Sequence, residues 1–323
     1  ARGGDSKAIP GRGRSHFEEL EIAFQDQVAP KLRYDLFINA EKEENWQVGM
    51  EEGYLTATGL LPGLNLRAGR MFTPIGKFNP QHPHQWLFIT RPAASAALLG
   101  GHGLSSDGAV ATYVLPTRGF YAGLDFGAWQ TALFHADDEH DHDDGEHHHE
   151  AGFRAGRQGA YSTRLHLSKA LSLTRELELG VTRYWGRGEV EGFGRKMQAI
   201  NGLDLTYRSY PGAFSRLWLT AELLDHETRG IQGEAKHRLG GWLTAAYRWN
   251  QYWEAGIRGD YTRLPFPEDG YEIGGSLFLT KYLTEQTSLR LEYRHARSDE
   301  FGHGNGIFFQ LLYGSGPHSH PLQ

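Results

Sequence analysis

The sequence contains no cysteine, which excludes a disulfide framework and any thiolate metal centre while leaving the compartment open. It also lacks any apolar run near the roughly 18 residues that a membrane-crossing helix needs, so a transmembrane helix bundle is excluded. A membrane β-barrel is untouched by that absence. In a barrel wall, lipid-facing and lumen-facing residues alternate, and any window averages to merely amphipathic. Catalytic signatures are missing too: there is no Gly-x-Ser-x-Gly elbow, no phosphate-binding P-loop and no His-Glu-x-x-His helix, so the chain is read as a non-enzyme. Positive charge is not in excess. With a net charge of -6 and no basic stripe interleaved with aromatics, nucleic acid is excluded as a partner. Residues Ala1 to Arg14 hold no apolar core of signal-peptide length, as expected of a mature or trimmed chain, and 1–14 is read as an N-terminal segment or loop.

What is present in quantity is large side chains in strict alternation. Aromatics make up 12% of 323 residues, against 13 prolines, which is too much packing material for disorder. Segments of about ten residues repeat a period of two, the length a tilted strand needs to cross a bilayer. Leu20, Ile22 and Phe24 alternate with Glu19, Glu21 and Ala23, and Leu203, Leu205 and Tyr207 oppose Asp204, Thr206 and Arg208. Leu243, Ala245, Tyr247 and Trp249 lead through Asn250-Gln251 to Trp253, Ala255 and Ile257, whose alternates include Glu254 and Arg258. The expected fold is all-β, a transmembrane antiparallel β-barrel over 15–314, with 315–323 as a C-terminal tail.

Connections alternate between tight turns and longer polar segments, the asymmetry of outer-membrane barrels. Short turns are expected near Ala29-Pro30, Leu61-Pro62-Gly63, Pro116 to Gly119, Ser172 to Thr174, Pro211-Gly212, Asn250-Gln251 and Leu283 to Gln286. Longer excursions are expected around Thr73 to Leu104, His135 to Gly159, Arg187 to Lys196, Glu227 to Lys236 and Arg297 to Gly304. About fifteen strands result, whereas single-chain bacterial barrels favour even numbers. The preferred account is a sixteen-strand barrel whose first strand lies upstream of this chain; fourteen strands is the rival. Trp46, Trp129, Tyr184, Trp185, Trp249, Tyr252, Trp253 and Tyr282 sit near strand ends and suit an interfacial aromatic girdle.

Three constellations carry the functional expectations. The segment 73–104 is too long for a plain turn and has neither strand nor helix pattern. Folded into the lumen it would narrow the pore, with Lys77, His82, His84 and Arg91 meeting the solute; the bland reading is a packed surface loop stiffened by prolines and Trp86. Two histidines at that spacing do not make a metal site, because three or four ligands must converge in space. The loop 135–159 is rich in histidine and acid, and His135, His140, His142, His147, His148 and His149 are expected to collect Zn2+ or another divalent cation weakly, although no cofactor is required. A solvated, pH-sensitive charged loop is its alternative. The inward alternates Arg33, Arg67, Arg164, Arg208, Arg216, Glu222, Arg248, Arg258, Arg290 and Arg294 cannot form a dry core and are expected to line a water-filled channel.

The stretch Gly69-Arg70 through Gly76-Lys77-Phe78-Asn79, His82-Pro83-His84 and Arg91-Pro92 resembles bacterial outer-membrane porin-like proteins distantly related to phosphate-selective porins. The aromatic closing strand Ile307-Phe308-Phe309-Gln310-Leu311-Leu312-Tyr313 is similar as well. The resemblance implies a porin fold of sixteen strands, a homotrimer and an in-folded loop after the fifth strand. It does not carry phosphate selectivity, because no lysine or arginine ladder matches residue by residue, and the ending Pro321-Leu322-Gln323 departs from the terminal aromatic usual in such barrels. The functional expectation is an outer-membrane porin in the lipid bilayer that passes small solutes or ions by diffusion. The alternatives are a non-conducting barrel acting as a metal-binding surface protein or adhesin, and a soluble β-sheet protein.

Overall fold

The structure, a computed structural model, describes residues 19–42, 46–130, 159–190, 192–265, 268–299 and 302–315. Fifteen strands follow one another in a single antiparallel sheet whose spatial order is the chain order. They are β1 (Glu19–Ala29), β2 (Leu32–Lys42), β3 (Trp46–Leu61), β4 (Leu64–Phe72), β5 (Ser105–Val114), β6 (Tyr121–Trp129), β7 (Ala160–Ser172) and β8 (Arg175–Val190), then β9 (Gly194–Ser209), β10 (Arg216–Ile231), β11 (Glu234–Arg248), β12 (Trp253–Arg263), β13 (Tyr271–Tyr282), β14 (Thr287–Ser298) and β15 (Gly302–Tyr313). A single helical turn at Pro83–Gln85 and a short helix α1 (Ala93–Leu99) lie between β4 and β5. Among the described residues, no helix is long and apolar enough to cross a membrane.

The period-two pattern produces this sheet because each strand offers one side to hydrocarbon and one to the interior. Ile257, Leu277, Tyr293 and Ile307 are neighbours across β12 to β15, and all four are exposed. One position along, Arg258, Ser276 and Arg294 are neighbours across β12 to β14, and all three are buried. Burying a side chain of the size of Leu or Ile is worth about 1.5–3 kcal/mol relative to leaving it in water. An exterior carrying Leu203, Leu223, Leu243, Ile257, Leu277 and Phe309 in the open is therefore stable only with an apolar solvent around it. This polarity is the reverse of a soluble protein's.

All seven expected short turns are present at one end of the sheet. At the other end the described residues of the expected excursions 187–196, 227–236 and 297–304 are mostly strand rather than loop. The strands run on, and β10 and β11 meet in a two-residue turn at Gln232 and Gly233, both with positive φ, the twist that tight hairpins require. The reading failed there because the outward alternates of these extensions, Glu227, Arg229 and His237 among them, are polar, so the greasy side that marks a strand elsewhere is missing. The girdle needs correction at Trp129 and Tyr184, which point inward and are buried, and at Tyr282, whose hydroxyl donates to Glu254 inside the barrel, while Trp46, Trp249 and Tyr252 are exposed as expected. The segments 1–14 and, beyond Ser315, the tail fall outside the described residues, as does nearly all of the His/acid loop.

Candidate channel constriction

Residues 73–104, between β4 and β5, pass inside the barrel and pack against the interior of several strands. Their base is closed by backbone pairing of Thr73 N–H to the Leu104 carbonyl at 2.9 Å. Asn79 latches the same point from within: its amide donates to the carbonyls of Thr73 and Leu104, and its oxygen accepts from Leu104 N–H, each at 2.9 Å. One side-chain amide thus satisfies three backbone groups that water cannot reach.

Carboxylates of the wall then capture the loop's free N–H groups, which form no regular ladder of their own. Glu222 on β10 accepts from Lys77 N–H and Phe78 N–H, both at 3.0 Å. The preceding residue must be glycine. Gly76 has φ +61, and a Cβ there would lie 2.5 Å from the Glu222 carboxyl group. Glu292 on β14 accepts from Ile89 N–H, from Thr90 N–H at 2.9 Å and from the Thr90 hydroxyl at 2.7 Å. Asp260 on β12 accepts from Ala93 N–H at 3.1 Å. Arg258 donates to Thr90, Arg294 to the Arg91 carbonyl and Arg290 to the His84 carbonyl. Between these polar clamps lie two dry clusters. Ile75, Leu98 and Leu99 pack with Phe37, Met71, Val110, Tyr184, Ile200 and Leu224, and Phe78, Trp86 and Phe88 with Trp242, Ala246 and Phe278.

Strands β1 to β3 present a third anchor. The β2–β3 register slips at Phe37, which pairs with Glu52, while Ile38 pairs with Met50. Glu51 is the extra residue of this bulge, and the local kink lets two consecutive glutamates reach the same ring. His82 is fully buried there: Nδ1 lies 2.7 Å from Glu21 and 3.1 Å from Glu51, and Nε2 lies 2.8 Å from Glu52. Burial alone would pull the imidazole pKa down, but the carboxylates of Glu21, Glu51 and Glu52 outweigh it and push it up to about 12.

The expected constriction residues therefore separate. His84 keeps about 30% of its side chain accessible, beside His82 and Glu21. Lys77 is buried with its ammonium directly against Glu178, and Arg91 is wedged with its guanidinium over the rings of Phe78 and Trp86. Packing turns Lys77, His82 and Arg91 into loop anchors rather than open lining.

The ten expected lining residues all face inward, and they too divide. Arg164, Glu222, Arg258, Arg290 and Arg294 are buried, bound to the loop or to wall carboxylates such as Asp204. Toward the end with the short turns, Arg33, Arg208 and Arg216 keep 33%, 19% and 27% of their side chains accessible, and Arg67 and Arg248 are half-buried. Trp218 lies between Arg208 and Arg216, about 5 Å from each guanidinium. The metal-binding expectation at His135, His140, His142, His147, His148 and His149 falls outside the described residues. Sequence reasoning singled out neither Glu51 nor Glu52, gave Glu21 and Asn79 no anchoring role, and read Glu292 as an inward acid without its part in holding the loop. The doublet Glu51-Glu52 inside an alternating strand was the one visible sign of the bulge.

No family model matches the sequence. An uncharacterized protein of Aquifex aeolicus (strain VF5) is 30% identical over 83 residues, 26% of this chain but only 17% of that protein, so the chain matches a small part of this relative's length. Solved structures resemble nearly the whole chain. A loop L8 deletion mutant of OmpT, an outer membrane protein of Vibrio cholerae, superposes with a TM-score of 0.57 at 9% identity, covering 91% of this chain and 89% of that one. An anion-selective porin from Comamonas acidovorans gives 0.56 at 13% identity over 91% and 84% of the two chains. The outer membrane channel DcaP of Acinetobacter baumannii gives 0.55 at 8% identity over the same shares. At such identities the likeness is one of fold. With its apolar exterior, charged interior and consecutive antiparallel strands, the chain has the porin-like fold of a bacterial outer-membrane β-barrel.

Proposed function

We propose that the protein is a porin of the bacterial outer membrane, passing small solutes or ions by diffusion around the loop 73–104, with no catalytic step. The observation that carries this reading is the inverted polarity of the wall, an apolar outside and an ionic inside. A charged interior has no stabilising use in a barrel unless water, ions or a polar plug share it. Arg33, Arg67, Arg208, Arg216 and Arg248 would meet the solute at the end with the short turns and set a preference for anions. The His/acid loop would collect Zn2+ or a similar cation through His135, His140, His142, His147, His148 and His149, with exchanging ligands. A homotrimer is part of the proposal.

A second reading has support of its own. Two apolar clusters tie the loop to the wall, which favours a barrel whose lumen is shut and whose work is surface binding of metal or of another cell. Conductance separates the two. Purified full chain inserted into planar bilayers should give discrete ohmic steps, and reversal potentials in a salt gradient should report anion preference. A protein that inserts and conducts nothing would establish the closed barrel instead.

A further inference from the structure

The anchor on β1 to β3 holds more negative charge than its imidazolium can balance. Glu19, Glu21, Glu51 and Glu52 gather around His82, and the carboxylate oxygen Oε1 of Glu19 is buried with no hydrogen-bond partner. A second imidazole completes the group. The turn at Pro83–Gln85, held by His82 N–H donating to the Gln85 side chain at 2.9 Å, sets the rings of His82 and His84 5.7 Å apart on one side of the loop.

We propose that Glu21, His82, His84 and Glu51 form a binding site for a divalent transition ion of the zinc class, clamping the in-folded loop to the wall. The donor atoms of Glu21, His82 and His84 all lie within 4.8 Å of one another. His82 Nδ1 is 2.7 Å from Glu21 Oε2 and 3.1 Å from Glu51 Oε2, and His84 Nδ1 is 3.7 Å from Glu21 Oε2. Ligands around tetrahedral zinc sit about 3.4 Å apart for bonds of about 2.1 Å, so Glu21 and Glu51 would move away from His82 Nδ1, and His84 Nδ1 toward Glu21, each by less than about 1 Å to admit the ion. The two imidazole nitrogens select a borderline ion over calcium or magnesium, which take oxygen ligands. The outer support is already in place. Glu52, 2.8 Å from His82 Nε2, receives the other ring N–H and so aims Nδ1 at the ion, the usual arrangement behind a metal-bound histidine. On binding, the proton on His82 Nδ1 passes to solvent and the ion takes its place between the carboxylates.

The test must silence the other histidine-rich segment. Full-length chain with His135, His140, His142, His147, His148 and His149 replaced by Ala is refolded in detergent and titrated with Co2+, reading its visible absorption and the metal retained after gel filtration. The expected result is one Co2+ per chain, displaced by Zn2+, with affinity falling at least about tenfold in Glu21→Gln and in His84→Ala, and about tenfold in Glu52→Gln. Retention of less than stoichiometric Co2+ by the six-histidine variant would overturn the proposal. So would Glu21→Gln and His84→Ala variants, folded by circular dichroism, that bind as tightly as their parent. Because the readout is binding, its failure is independent of whether the barrel conducts.

Discussion

The loop 73–104 is held at two stretches of the wall by ionic anchors of different charge balance. On β12 to β14, Asp260, Glu272 and Glu292 meet Arg258 and Arg294 in a connected network, with Arg294 2.7 Å from Glu272 and 3.0 Å from Asp260, and Arg258 3.2 Å from Asp260. Loop N–H groups of Ile89, Thr90 and Ala93 take up the remaining carboxylate capacity. On β1 to β3, four glutamates meet one buried imidazolium. Desolvating charge is repaid only when each ion finds its counter-ion and its hydrogen bonds. The first anchor is self-sufficient, whereas the second is complete only when something cationic is added. Removing a carboxyl group should therefore have opposite consequences in the two places.

The largest effect is expected at the matched anchor. Glu292→Ala would leave Arg258 buried without one of its two carboxylates and strip three donors of Ile89 and Thr90 of their acceptor, at a cost of about 3–5 kcal/mol. The loop should detach from β12 to β14, read as new trypsin cleavage at Lys77 and as a rise in single-channel conductance. Next in size is the loop's base. Asn79→Ala would orphan the N–H of Leu104, while the Thr73 carbonyl keeps the N–H of Ile75, and would weaken the latch by about 1–3 kcal/mol without touching any charge. It should lower the midpoint of thermal unfolding while leaving ion selectivity unchanged.

How much of this was legible in the sequence follows from the range of each interaction. Alternation is local, so Leu203 against Asp204 and Ile257 against Arg258 declared the strands, their faces and the seven short turns. The paired extensions of β8 to β11 were hidden because outside the bilayer both faces are polar and the local signal vanishes. The inward arginines were readable as inward, but nothing near Arg294 or Arg33 in sequence says that the first is roofed by a loop 203 residues away while the second is left partly open. The histidine pair was dismissed as a metal site because its partners are distant. Glu21 lies 61 residues before His82, and Glu51 reaches it only because a bulge shifts the register.

The smallest effect, and the sharpest comparison, is expected at Glu19. Its carboxylate lies among those of Glu21 and Glu51, with one oxygen buried and accepting no hydrogen bond. Glu19→Gln keeps the shape and removes the one carboxyl group whose ionised form burial, Glu51 and Glu21 all oppose, so in chelator it should leave stability unchanged or raise it by up to about 1 kcal/mol, the reverse in sign of Glu292→Ala. With the six loop histidines replaced by Ala, adding Zn2+ should stabilise the parent barrel more than the Glu19→Gln barrel, because an ion that binds only the folded state contributes according to its affinity, and the variant's site is less negative. Parallel thermal scans with and without Zn2+ measure both terms. A substantial loss in chelator would mean that Glu19 already has its counter-charge, and the two anchors would then differ in place but not in kind.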